Sequence, residues 1–128
     1  MTVLVDTHAF LWWITDNSRL PAHARSCFTE RRNQLFLSVA SLWEIIVKTQ
    51  IGRLAIPRPA GPYLVQQMAR NALRVLPLQP GHVFRLENLP MHHRDPFDRI
   101  LVAQSQEEGW PVLTGDPLIR AYDVQTIW

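Results

Sequence analysis

Short apolar runs recur along this chain, each separated from the next by a longer stretch with helical spacing. Val3-Leu4-Val5, Gln34–Ser38, Leu73–Leu76 and residues 111–114 (PVLT) read as strands, with residues 124–127 a candidate fifth. Helical patterns cover residues 7–15, 20–32, 40–51, 61–72, 81–89 and 96–109. Gly52 and Gly109 are suited to end helices, and Pro96 to open one. Prolines 57, 59 and 62 mark a loop. Parallel strands need long crossovers, and helices supply them, so this alternation predicts an α/β domain with a mostly parallel sheet of four to five strands, covered on both faces.

In open sheets of this type ligands bind beyond the carboxyl ends of the strands. Two acids fall there. Asp6 ends the first apolar run, and Asp116 comes just after PVLT, beyond Gly115. Two more sit on helices next to that edge: Glu44 in SLWEIIVK, after the second strand, and Asp98 in RDPFDRILVAQ, before the fourth. Asp95, three residues before Asp98, is a further candidate. Each acid has a local explanation as well. Asp6 and Asp95 are good helix N-caps, and Ser41 through Glu44 fits a capping box. Asp98 could pair with Arg94 or Arg99, and Asp116-Pro117 resembles a turn. Capping explains a place on a helix, but not why all these acids fall on one edge of one sheet.

Carboxylates gathered without bases repel one another, so either some hold protons or a cation neutralises them. The candidate ligands are hard oxygens, which favour Mg²⁺ or Mn²⁺ over zinc or copper. The only cysteine, Cys27, offers neither a disulfide nor a thiolate metal site, and suits a reducing cytosol. The length of 128 residues fits one domain spanning 1–128. No signal peptide is seen, and no apolar run approaches the roughly 20 residues of a membrane helix, so the expected location is cytoplasmic. Net charge is only +2, yet with Asp6, Glu44, Asp98 and Asp116 assigned to a metal, seven acids remain against 13 bases. All those bases but Lys48 are arginine, which suits phosphate contacts.

Taken together, VLVDTHAFLWW, the Ser38–Lys48 stretch, HRDPFDRILVAQ and VLTGD resemble the PIN-domain ribonucleases, and most of all the VapC toxins of toxin–antitoxin pairs. The resemblance covers nearly the whole chain. It implies a three-layer α/β/α fold and an acidic pocket binding Mg²⁺ or Mn²⁺, with endonucleolytic cleavage of RNA. Asp6, Glu44 and Asp116 match the family's first, second and fourth acids; Asp98 matches the third, with Asp95 able to share its role. Thr114 matches a hydroxyl that orients Asp116 or a water, and Thr7 a small hydroxyl position. His8 departs from the asparagine or serine often found there. Arg94 and Arg99 flank the third acid and are candidates for phosphate contact. The implied partners are RNA, a VapB-like antitoxin and a second copy of the chain, with no membrane. A catalytically silent PIN-like module that binds RNA or protein is the alternative; the intact acids argue against it.

Two further expectations concern aromatic residues. Adjacent Trp12 and Trp13 point about 100° apart on a helix, so at least one is expected to be covered by a partner. His92 and His93 read as solvated loop residues near the site, with contact to RNA as the sharper alternative.

Overall fold

In the computed structural model, which describes residues 1–128, five parallel strands form one sheet in the order β3-β2-β1-β4-β5. They are β1 (Thr2–Val5), β2 (Gln34–Ser38), β3 (Leu73–Leu76), β4 (Val112–Leu113) and β5 (Thr126–Ile127). Seven helices accompany them: α1 (Thr7–Ile14), α2 (Ala22–Thr29), α3 (Val39–Gln50), α4 (Ala60–Arg70), α5 (Pro80–Arg85), α6 (Pro96–Glu108) and α7 (Pro117–Arg120). The result is a three-layer α/β/α fold.

Strand β1 lies at the centre, paired with β2 on one side and β4 on the other. Its run VLV is apolar without alternation because both faces are covered, and all three residues are fully buried. Successive side chains point to opposite faces. Val3 and Val5 join a core of Phe10, Leu35, Leu37, Ile45, Leu64 and Met68, whereas Leu4 meets Leu76 and Leu101 on the other side. Helix α6 supplies that second layer, with residues 100–105 buried. It opens on the Asp95 N-cap and Pro96, and closes at Gly109, whose φ of 73° is left-handed and favours glycine.

Several boundaries differ from the sequence reading. Helix α3 starts directly off β2, with Ser38 as its N-cap accepting the Ala40 N–H at 3.0 Å. The anticipated capping box at Ser41 therefore does not form, and Glu44 sits in the helix interior. The helix predicted over 81–89 is α5 followed by a 3-10 turn at Leu86–Asn88. Both Trp12 and Trp13 are half-buried and find partners within the chain. Trp13 stacks on Phe28 at 4.6 Å and donates its indole N–H to Asn71, and Trp12 lies 6.0 Å from Trp128. The large exposed indole is Trp43 instead, 62% accessible and packed edge-on against Phe97. No helix is long and apolar enough to cross a membrane.

Candidate metal centre

All strands run parallel, so their carboxyl ends share one edge. Asp6 leaves β1 there. Its backbone N–H donates to Leu113 at 3.1 Å, which extends the β1–β4 pairing and sets Asp6 beside Thr114. One carboxylate oxygen caps α1 by accepting the Ala9 N–H at 2.7 Å. A carboxylate has a second oxygen, so capping and ligation are compatible roles for Asp6. Burial pushes this carboxyl above the usual range; the Thr114 hydroxyl, the Ala9 N–H and His8 oppose the rise, and the charge of Asp116 adds to it.

Glu44 points inward from α3 and is 1% exposed. The Thr7 hydroxyl lies 2.8 Å from its Oε1 and 2.9 Å from Ser41 Oγ, so Thr7 donates to the carboxylate and accepts from the serine. Its Oε2 is 2.6 Å from Lys48 Nζ, one helical turn on. The expectation of acids gathered without bases therefore fails at Glu44; glutamate four residues before lysine is the favourable order on a helix, and that spacing was the signal for it.

Asp98 lies in the first turn of α6. Its carboxyl is pushed up to about 7, chiefly by burial, then by the negative charges of Asp95, Glu44 and Asp6, with His93 opposing. Asp116 caps α7, accepting the Leu118 N–H at 2.8 Å, while its own N–H donates to Thr114 Oγ1 at 3.1 Å. The single hydroxyl of Thr114 thus touches both the first acid and the fourth. Acids from four separate segments meet at one rim. None is paired with an arginine.

Three other anticipated residues have defined places. Asp95 caps α6, its Oδ1 accepting the N–H groups of Phe97 and Asp98 at 2.8 and 3.4 Å. Arg99 makes no ion pair with Asp98. Its guanidinium holds the carbonyls of Pro90 (2.8 Å) and Leu89 (3.3 Å) and the Tyr122 hydroxyl (3.0 Å). It braces the loop before α6. Arg94 is exposed.

His93 is the residue that sequence reasoning placed wrongly. It is buried, and its Nε2 hydrogen-bonds Asp116 Oδ2 at 2.9 Å while lying 3.1 Å from Asp98 Oδ2. Its backbone N–H donates to Tyr122 Oη at 2.9 Å. These three side chains present one donor atom each within 4.8 Å of one another. The available clue was the position of this histidine just ahead of the helix cap that carries the third acid.

The donor chemistry fits a divalent cation. Asp98 feels the charges of Asp95, Glu44 and Asp6, Asp6 feels that of Asp116, and Lys48 offsets Glu44, while only His93, Asp98 and Asp116 place donor atoms within 4.8 Å of one another. Zinc would prefer a set with more nitrogen or sulfur.

The model of the PIN domain matches residues 3–125. The chain belongs to the PIN-domain family. Across 122 residues this PIN domain is 30% identical to ribonuclease VapC22 of Mycobacterium tuberculosis, covering 94% of this chain and 92% of that protein. Among solved structures it resembles VapBC2 of Rickettsia felis, bound to a promoter DNA fragment, with a TM-score of 0.73 at 11% identity. That match covers 98% of this chain and 97% of the other. VapBC-1 of nontypeable Haemophilus influenzae gives a TM-score of 0.70 at 14% identity, over 98% and 96% of the two chains. At such identities these structures speak for the fold.

Proposed function

We propose that this PIN domain is a divalent-metal-dependent endoribonuclease and the toxin of a toxin–antitoxin pair. The observation that carries the reading is the convergence of Asp6, Glu44, Asp98 and Asp116 on one rim of the sheet, without arginine partners. Similarity to a ribonuclease VapC over 94% of the chain supports it.

Asp6, Glu44 and Asp98 hold the cation, Mg²⁺ or Mn²⁺, with Asp116 completing or orienting the set. When bound, that ion supplies Lewis-acid activation of a water and offsets charge on the scissile phosphate. The protein's own groups supply the positioning. Thr7 fixes the rotamer of Glu44, and Thr114 ties Asp6 to the backbone of Asp116. Arg99 and Tyr122 hold the 89–95 loop against α6. Arg94, exposed beside the third acid, is free to contact a phosphate.

The remaining basic surface favours a polyanion such as RNA. Exposed Trp43, Val83 and Phe84 point to protein partners, because apolar surface of this kind is normally covered. A VapB-like antitoxin and a second copy of the chain are the partners assigned here, in a cytoplasmic setting.

An RNA cleavage assay tests the activity. Cleavage of an RNA panel should require Mg²⁺ or Mn²⁺, stop with EDTA, and be abolished in Asp6→Asn. Asparagine is isosteric and still caps a helix, so circular dichroism should be unchanged. Full activity in that variant would refute the assignment, and metal-independent binding of RNA without cleavage would favour a silent module.

A further inference from the structure

We propose that His93 is an internal stand-in for the cation: its Nε2–H occupies the position between Asp98 and Asp116 in the metal-free protein and gives it up when the ion binds. This inference rests on the metal-centre reading above.

The geometry of the ring carries it. The Asp95 backbone N–H lies 3.1 Å from His93 Nδ1 and donates to it. An accepting Nδ1 must offer its lone pair, so the ring proton resides on Nε2. Nε2 then donates to Asp116 Oδ2 at 2.9 Å and lies 3.1 Å from Asp98 Oδ2, with no lone pair to give a metal. A Mg²⁺ ion needs its oxygens at about 2.0–2.1 Å. The Nε2–H is directed at one of the same two oxygens that such an ion would take.

The alternative is that His93 is itself a ligand. That would require moving the ring proton to Nδ1, which would set two N–H groups against each other at Asp95 and cost the bond that orients the ring. Displacement gives up that same bond as the ring swings out, but it sets no second N–H against that of Asp95. The backbone of His93 is anchored separately, through its N–H to Tyr122, which Arg99 also holds. The ring can therefore swing about its side-chain torsions while the loop stays in place. In this role His93 is a positioning residue. It keeps Asp98 and Asp116 aimed at a common point before the ion arrives, and it competes with that ion.

Mn²⁺ binding by calorimetry and thermal unfolding, both on EDTA-treated and dialysed protein, test the proposal without any measurement of cleavage. His93→Ala should lower the unfolding midpoint of the metal-free protein. It should also tighten Mn²⁺ binding about tenfold, the worth of one hydrogen bond to a charged group, and enlarge the midpoint gain produced by Mn²⁺. His93→Gln retains an N–H donor and should shift affinity in the same direction by less; it serves as the comparison should His93→Ala fail to fold. Mn²⁺ binding that is weakened or unchanged in these variants overturns the stand-in role alone. A wild-type protein that binds no Mn²⁺ defeats the metal-centre reading, and this inference with it.

Discussion

Replacing Asp98 with asparagine should make the metal-free protein more stable at pH 8, although it removes a residue assigned to the active centre. The Asp98 carboxyl is pushed up to about 7 from its ordinary 3.8, mainly by burial and by the charges of Asp95 and Glu44. The folded protein thus holds this proton more tightly than the unfolded chain does. Its contribution to stability is fully present below about pH 4 and is lost as pH rises through 7. At about 1.4 kcal/mol for each tenfold change in proton affinity, the loss has a ceiling of about 4 kcal/mol. Asparagine keeps the shape and an acceptor oxygen for His93 but never ionises. Urea denaturation of EDTA-treated protein at pH 5 and pH 8 reads the effect. Wild type should lose stability between these values, and Asp98→Asn should lose markedly less and exceed wild type at pH 8. Saturating Mg²⁺ should reverse that order, since an ion at one hundred times its dissociation constant adds about 2.7 kcal/mol to a protein that binds it. A variant less stable than wild type at pH 8 without metal would show that Asp98 carries no uncompensated charge.

Two other substitutions probe the supports of the site. Thr114→Val is nearly isosteric but removes the hydroxyl shared by Asp6 and the Asp116 N–H; chemical denaturation should show a loss of about 1–3 kcal/mol, and calorimetry weaker Mn²⁺ binding. Lys48→Met leaves Glu44 buried without its base. The pair is partly open to solvent, with Lys48 31% exposed, so the cost should be about 1–3 kcal/mol in EDTA, with Mg²⁺ restoring more stability than it gives wild type.

The fold was readable where periodicity had room to operate. Strands β2 and β3 occupy the residues that the apolar runs marked, and β1 differs by one residue. The four-residue helix α7 reads in the sequence only as a turn at Asp116-Pro117, because one turn of helix carries no repeat to detect. Strands β4 and β5 pair over only two residues each, although the apolar runs are longer. The acids were readable for a different reason. Asp6 and Asp116 each follow a strand and Asp98 lies in the first turn of a helix, at the rim that an all-parallel topology creates, whereas Glu44 sits inside α3. The local reading holds as well: Asp6, Asp95 and Asp116 do cap helices, with one oxygen each. What the sequence hid was the environment of a loop. Nothing in the string MHHRD says that His93 is drawn inward by Tyr122 and Asp116 while neighbouring His92 stays exposed, since those partners come from beyond residue 115. The indoles of Trp12 and Trp13 teach the same lesson. Helix geometry showed that they diverge, but their partners Phe28, Asn71 and Trp128 lie on other elements.

Anomalous diffraction from a crystal soaked in Mn²⁺ locates the ion itself. We predict a peak within coordination distance of carboxylate oxygens from Asp6, Glu44, Asp98 and Asp116, at the carboxyl ends of β1 and β4. A fully soaked crystal with no peak among those four residues, or with its only peak elsewhere on the surface, would contradict a shared cation as the reason these acids meet.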